Sequence, residues 1–330
     1  MSNEGKESRL KCSLNGDSLI GEFSLVDYRN NYFTSEDPNK IIEFYNGFKN
    51  REQLIQWMKD RPKGMHTIYE VEGDKDIIVV ITTADYDGKY AKECRENIFK
   101  GLHIIFVESG GRDDFYFNIA HNINVGIAKA MEYNPKWIVF SGDDMYKIDV
   151  SEVLVSKLRM ISNVEFDFVY TYPSLYHSHP SKMAKPNVLY KIYYSLIEKS
   201  YKRIILELSH KFGIKYIMSP ISGLSRRLFK RGYEYLETLD FGIYSSKWVR
   251  EKGKLVFDET FINAAEDLDL SLHFSLSPER TTRIDYKIGD MIGTTLGVGE
   301  LRDLRNVAGI AYLNYKWLNF LDKIIDTKRS

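Results

Sequence analysis

The sequence predicts an α/β fold: a mostly parallel sheet of nucleotide-binding type, flanked by helices. Three apolar runs predict it, Ile77–Thr83, His103–Val107 and the first residues of Trp137-Ile-Val-Phe-Ser-Gly-Asp-Asp-Met-Tyr146, with helical patterns between them. None of the runs alternates polar with apolar, as expected of central parallel strands covered on both faces. Strand, helix and strand at such short spacing imply right-handed parallel crossovers. The third run ends in Gly142, Asp143 and Asp144. Gly142 allows a sharp turn, and the two carboxylates fall at the carboxyl end of a strand, where open α/β sheets bind ligands. Two crowded carboxylates repel each other unless a cation lies between them, and a hard divalent ion bridging to phosphate oxygens would relieve the repulsion. On these residues alone, an ordinary turn capping the next helix remains the alternative.

Composition narrows the classes. With 330 residues, 43% hydrophobic and 28% charged, the chain is long and apolar enough to bury a substantial core. Basic and acidic residues both number 46, so no global charge draws it to nucleic acid or an anionic membrane, and any phosphate recognition must be local. Cys12 and Cys94 are too few for a disulfide framework or a cysteine-based zinc site, which fits a reducing compartment. The first ten residues mix charges without an apolar stretch, so no signal peptide is expected. No apolar run approaches the roughly 20 residues that span a bilayer. The expectation is a soluble, cytoplasmic protein without a nucleic-acid partner.

Residues 1–75 read as an N-terminal extension with a packing or oligomerisation role. It holds a loop at Thr34–Pro38 and an amphipathic helix over Lys49–Asp60, whose apolar face is Leu54, Ile55, Trp57 and Met58 and which Pro62 stops. The core follows over 76–290, with halves 76–146 and 147–290. In the first half, Ala84–Gly88 leads into a helix ending near Phe99, Glu108–Asp114 follows the second strand, and a helix over Phe117–Glu132 precedes Pro135 and the third strand. In the second half, a helix over Val150–Ile161 leads to a strand over Phe166–Thr171. Tyr172–Pro186 is aperiodic, long, and rich in Tyr, Ser, His, Pro and Lys, the pattern of a functional loop suited to closing over a ligand.

A helix over Asn187–Phe212 stops at Gly213, and Tyr216–Ile221 and a short basic helix with Arg226, Arg227, Lys230 and Arg231 come next. A second acidic cluster, Glu266, Asp267 and Asp269, opens a helix after Phe257-Asp-Glu259. The helix dipole favours acids there, yet three neighbouring carboxylates exceed what capping requires. The tail, 291–330, carries an amphipathic helix over Val307–Ile325, read as a packing helix, with a weak membrane-surface contact or a homo-oligomer contact as the alternative.

Five segments in order, spanning roughly 77–306, resemble the family 2 inverting nucleotide-sugar glycosyltransferases. Ile81-Thr-Thr-Ala-Asp85 resembles the family's Pro-Thr-x-Asn signature, with Thr82 in place of proline and Asp85 in place of asparagine. Val107-Glu-Ser-Gly-Gly111 is similar to its Val-Asp-Asp-Gly-Ser turn, and Asn124-Val-Gly-Ile127 matches its Asn-x-Gly-Ile. Phe140-Ser-Gly-Asp-Asp144 resembles Leu-Asp-x-Asp-Asp, and Phe257-Asp-Glu259 with Glu266-Asp-Leu-Asp269 resembles the pattern that carries the catalytic base. The resemblance implies a GT-A fold, with a Rossmann-like, mostly parallel sheet.

It also implies a metal-dependent transfer of a sugar from a nucleotide-sugar donor to a glycan, lipid-linked or protein acceptor, with inversion. Asp144, helped by Asp143, would hold Mg²⁺ or Mn²⁺ across the diphosphate; Thr82, Thr83, Asp85, Glu108 and Asn124 would contact the donor; Asp267 would be the general base. Two departures stand out. Gly142 replaces the first aspartate of the metal signature, and Lys287, in Tyr286-Lys-Ile-Gly289, stands where relatives carry a histidine, so a fixed positive charge could meet the diphosphate there. No Gln-x-x-Arg-Trp element follows the acidic cluster, which argues against a processive synthase.

His177, His179, Arg226 and Arg227 are further phosphate or metal candidates, though histidines in a polar loop are more often simply solvent-exposed and basic residues on a short helix are usually its wet face. Two other functions compete. A sugar-1-phosphate nucleotidyltransferase would carry a glycine-rich basic loop after the first strand, where this chain reads Ala84-Asp-Tyr-Asp-Gly-Lys89. A catalytically weak nucleotide-sugar-binding protein would explain Gly142 but has no need of both acidic clusters.

Overall fold

The chain enters its sheet with His66–Val71 (β1) and passes directly to Asp74–Thr83 (β2), whose residues from Ile77 to Thr83 are all buried. A strand can be apolar along both faces only if both faces are covered, and the rest of the fold supplies the covers. The computed structural model describes residues 10–11, 32–33, 35–110, 114, 116–172, 182–184, 201–218, 233–234, 241–253, 255–262, 264–291 and 300–327. Most of the expected Tyr172–Pro186 loop, His177 and His179, the first part of the helix expected from Asn187 and the basic helix around Arg226 lie outside the described residues.

Ahead of the sheet come Pro38–Asn46 (α1) and Arg51–Asp60 (α2). Asp37 caps α1, with Pro38 at its first position, and Asn50 caps α2 by accepting from Gln53 N at 3.0 Å, while Gln53 Oε1 accepts from Lys49 N at 2.8 Å. After β2, Lys89–Glu93 (α3) continues as a π turn, Cys94–Ile98, and leads to Leu102–Ser109 (β3). Ile119–Ala130 (α4) crosses back to Trp137–Gly142 (β4), followed by the short Met145–Lys147 (β5), Ser151–Arg159 (α5) and Phe168–Tyr172 (β6). Lys202–Lys211 (α6), Phe241–Ser245 (β7), Ser246–Glu251 (α7), Glu266–Ser275 (α8), Thr281–Asp290 (β8), Glu300–Arg305 (α9) and Val307–Thr327 (α10) complete the order.

Eight strands, with the two-residue Leu10–Lys11 added outside β1, form a mixed, curled sheet in the order β1-β3-β2-β4-β7-β6-β8-β5, and Lys182–Ala184 pairs antiparallel with Ile217–Met218 and with Tyr233–Glu234 in a separate small sheet. β2 is parallel to both β3 and β4, as the crossover argument requires. The expectation of a mostly parallel sheet fails, because among the described residues of the large sheet three of the eight pairings are parallel and five antiparallel. The antiparallel members are those with the weakest strand signals. β1 is half-buried along its whole length and has no continuous apolar run, and β7 has only five residues, wedged between β4 and β6 and antiparallel to both.

Odd and even residues of the strands feed opposite faces, as a period of two requires. Ile77, Val79 and Ile81 join Val139 and Ile243 under α3, the π turn and α5. Ile78, Val80, Ile138 and Phe140 join Tyr244 under α4, α7 and α8. Helix α8 has a second apolar side: Leu268 and Leu272 pack outward into a cluster with Tyr45, Trp57, Phe212, Leu304 and Leu313. The expected packing helices at the two ends of the chain therefore meet in one helical layer over α8. Among the described residues no helix is long and apolar enough to cross a membrane.

The buried Tyr45 hydroxyl ties this layer together by donating to Arg305 O at 2.8 Å and accepting from Ala308 N at 3.1 Å. Tyr45→Phe strands both backbone groups, and the expected cost is about 1–3 kcal/mol of stability. Urea unfolding of the two proteins checks it, and a difference below about 0.5 kcal/mol would show that the bond does not hold the two ends together.

Candidate functional site

The site follows from register. Thr82 lies opposite Gly142 and Thr83 opposite Glu108, so the carboxyl ends of β2, β3 and β4 stand side by side. Thr83 Oγ1 donates to Asp143 Oδ2 at 2.6 Å, and Glu108 Oε2 accepts from Tyr86 N at 2.7 Å. Asp85 N donates to Thr83 Oγ1 at 3.2 Å, and Asp85 Oδ1 accepts from Asp87 N at 3.0 Å. The β2–α3 loop is thereby laced to the ends of both neighbouring strands. Tyr86 stacks on Tyr69 with ring centroids 4.1 Å apart and lies under the Arg95 guanidinium, which gives the Glu108 side an aromatic wall that the sequence did not reveal.

Gly142 acquires a reason in this geometry. A Cβ at that position would stand 2.8 Å from Asp144 Oδ1, so the Asp144 carboxylate folds back over the bare α-carbon. Asp144 O also accepts from Met291 N at 2.8 Å, which joins the end of β8 to the same turn.

Burial raises the Asp143 pKa; the Thr83 hydrogen bond offsets part of the rise and the nearby Asp85 charge adds to it. Burial likewise pushes the Cys94 thiol far up, helped by the charges of Asp143 and Asp144, and Cys94 Sγ donates to Asp143 O at 3.4 Å. A desolvated carboxylate crowded by like charges is an environment that a cation relieves. Among the described residues no group of three or more His, Cys, Asp or Glu side chains is arranged to hold a metal ion. Asp143 and Asp144 are two carboxylates that could each offer an oxygen to a divalent ion, which would need its other ligands from elsewhere.

Asn124 has a different place from the one its motif implies. It is 3% exposed; Nδ2 donates to Phe257 O at 2.8 Å and to Glu259 Oε1 at 3.0 Å, while Oδ1 accepts from Val256 N and Phe257 N. With its hydrogen-bonding capacity spent, Asn124 is a clamp that fixes the segment before α8 to α4. Asn118 does similar work, capping α4 through His121 N and donating to Glu259 O and Phe261 O. Lys287 is exposed on β8, and its backbone exchanges hydrogen bonds with Asp149, whereas Met291 is the residue of that strand end that meets Asp144.

The second acidic cluster separates into two functions. Asp269 is nearly buried and accepts from Lys316 Nζ at 2.8 Å and Trp317 Nε1 at 2.7 Å, and Lys316 also reaches Asp258 at 2.8 Å. These two acids anchor α10. Asp267, half-buried, accepts from Leu268 N at 2.7 Å, and its charge, after burial, contributes to the high pKa of the Tyr244 phenol.

The residue before this pair, Ala265, has φ +72° and ψ +7°, a left-handed conformation that is costly for a residue with a Cβ. Helix α10 presses against this turn: a Cβ on Gly309 would meet Ala264 O at 2.3 Å.

Two buried polar residues escaped the sequence reading. Asn122 is fully buried with neither amide atom hydrogen-bonded, on the same face of α4 as Gly126, whose α-carbon lies against Val80 and Val107. The Tyr244 hydroxyl is also buried without a partner. An asparagine inside an otherwise apolar helix face was the available signal for the first; a tyrosine in a short strand gives none.

No protein-family model, curated protein or solved structure matches this chain.

Because burial raises the folded-state pKa of Asp143, its ionised form costs stability at neutral pH, and that cost disappears as pH falls below the ordinary aspartate value. Asp143→Asn, which can still accept the Thr83 hydrogen bond, is therefore expected to raise the thermal unfolding midpoint at pH 7 in the presence of a chelator, with the gain shrinking towards pH 3.5. Equal midpoints at pH 7 would contradict a desolvated Asp143.

Proposed function

We propose that the chain is a metal-dependent glycosyltransferase of GT-A type that transfers a sugar from a nucleotide-sugar donor to an acceptor hydroxyl with inversion. The observation that carries this reading is the meeting of Thr83, Glu108, Asp143 and Asp144 at the ends of three adjacent parallel strands, together with a second carboxylate, Asp267, on a separate, strained helix start.

Glycosyl transfer needs two kinds of acid: one to manage the leaving diphosphate and one to remove a proton from the acceptor. Asp144 and Asp143 are the groups that would hold Mg²⁺ or Mn²⁺, and the bound ion would supply neutralisation of diphosphate charge. Thr82, Thr83 and Asp85 line the donor side, and Glu108, oriented by Tyr86 N, offers its Oε1 to a base edge. Asn124 acts at one remove, by holding the segment that leads to Asp267. Asp267 takes the acceptor proton as the acceptor oxygen bonds to the anomeric carbon and the bond to diphosphate breaks.

The test separates the two carboxylate sites. Calorimetry with a panel of nucleotide sugars is expected to show binding that strengthens with Mn²⁺ and loses this dependence in Asp144→Asn. Asp267→Asn is expected to keep donor binding while turnover falls by about 10²-fold or more. Since Asp267 also bonds Leu268 N, some loss of thermal stability accompanies the substitution. Metal-independent binding that is indifferent to Asp144→Asn, or near-normal turnover in folded Asp267→Asn, would overturn the assignment. A product retaining the donor's anomeric configuration would do the same.

A further inference from the structure

A cavity of about 680 Å³ opens between the end of α2, the segment before α8, and α10, within the size range of small-molecule sites. It is separate from the strand-end site: neither Thr83, Glu108, Asp143, Asp144 nor Asp267 lines it. Its walls come from both ends of the chain, with Lys59 and Lys63 from the N-terminal side and Lys316 and Trp317 from the tail.

The charges in the wall do not cancel evenly. Its acids are already engaged: Lys316 bridges Asp258 and Asp269, Trp317 also donates to Asp269, and Glu259 is held by Asn124 and faces His121 Nδ1 at 3.2 Å. Four ammonium groups face three carboxylates, an excess of one positive charge, and among the described residues Lys59, Lys63 and Lys252 have no carboxylate oxygen within ion-pair distance, Lys252 lying over the Trp248 ring at 5.7 Å. Lys63 is half-buried and donates to the backbone carbonyl of Glu259 at 2.8 Å. Burial, aided by Arg61, lowers its pKa despite the nearby acids, so a second negative charge would be welcome there. Phe257 and the indole of Trp317 supply apolar wall, and Leu255, 65% exposed, also lines the cavity.

We infer that this cavity binds a small organic anion, with Lys59, Lys63 and Lys252 gripping its carboxylate or phosphate groups and Phe257, Leu255 and Trp317 receiving its apolar part. Because the chain is neutral overall, the attraction is local and weakens with salt.

Calorimetric titration of the full chain with citrate and with inorganic pyrophosphate, at low ionic strength and with a chelator to silence metal-assisted binding, tests this. Saturable binding of at least one probe with a Kd below about 1 mM is expected, and preference for one identifies carboxylate or phosphate as the recognised group. Lys59 and Lys252 are exposed, so Lys59→Gln/Lys252→Gln should fold normally and weaken binding at least tenfold, with Lys63→Met weakening it independently. Asp144→Asn should leave the affinity unchanged, which separates this site from the proposed donor site. Absence of saturable binding by both probes, indifference to the lysine substitutions, or loss of binding in Asp144→Asn would each overturn the inference.

Discussion

The position of β2 between two parallel neighbours is the constraint on which the rest depends. Once Thr82 is paired with Gly142 and Thr83 with Glu108, the acidic turn after β4, the loop after β2 and the end of β3 have to share one edge of the sheet. The register is fixed by burial: Ile77 to Ile81 are apolar towards both faces, and shifting a neighbour by one residue would turn its apolar set away from the matching core. The cost is concentrated at Asp143, a carboxylate drawn into that edge and steadied by a threonine hydroxyl.

Helix α8 transmits the other half of the arrangement. One side of it packs on the sheet through Leu270 and Phe274, and the other side receives the layer made by the two ends of the chain through Leu268 and Leu272. Asp269 and Asp258 are pinned by Lys316, so the left-handed turn at Ala265 is held from outside by α10 and from inside by the Asn124 clamp. The terminal segments are thus structural partners of the helix start that presents Asp267.

Strands β2, β3, β4 and β6, the acidic turn and the second acidic cluster were legible because each leaves a local trace: an apolar or aromatic run, a glycine before paired acids, or acids at a helix start. Strands β1, β7 and β8 were not. His66–Val71 mixes polar and apolar residues without a clear period, and Phe241–Ser245 is too short to announce itself, since its strand character comes from being paired on both sides. The separate fates of the acidic residues were hidden for a related reason. Only tertiary packing brings Lys316 and Trp317 to Asp269, 47 and 48 residues away in sequence, and leaves Asp267 to a different neighbourhood. Asn124 was found by its motif, yet its hydrogen bonds to residues 256, 257 and 259 give it a different role from the one the motif implies.

The central claim is that the ends of β2, β3 and β4 form a metal–diphosphate site, and the most direct measurement is a crystal structure grown with Mn²⁺ and a nucleoside diphosphate, with data collected at a wavelength where manganese scatters anomalously. The account predicts an anomalous peak within about 2.0–2.4 Å of carboxylate oxygens of Asp143 or Asp144, continuous with diphosphate density, and the base beside Glu108. Manganese and nucleotide bound elsewhere, with the strand-end carboxylates contacting neither, would contradict it.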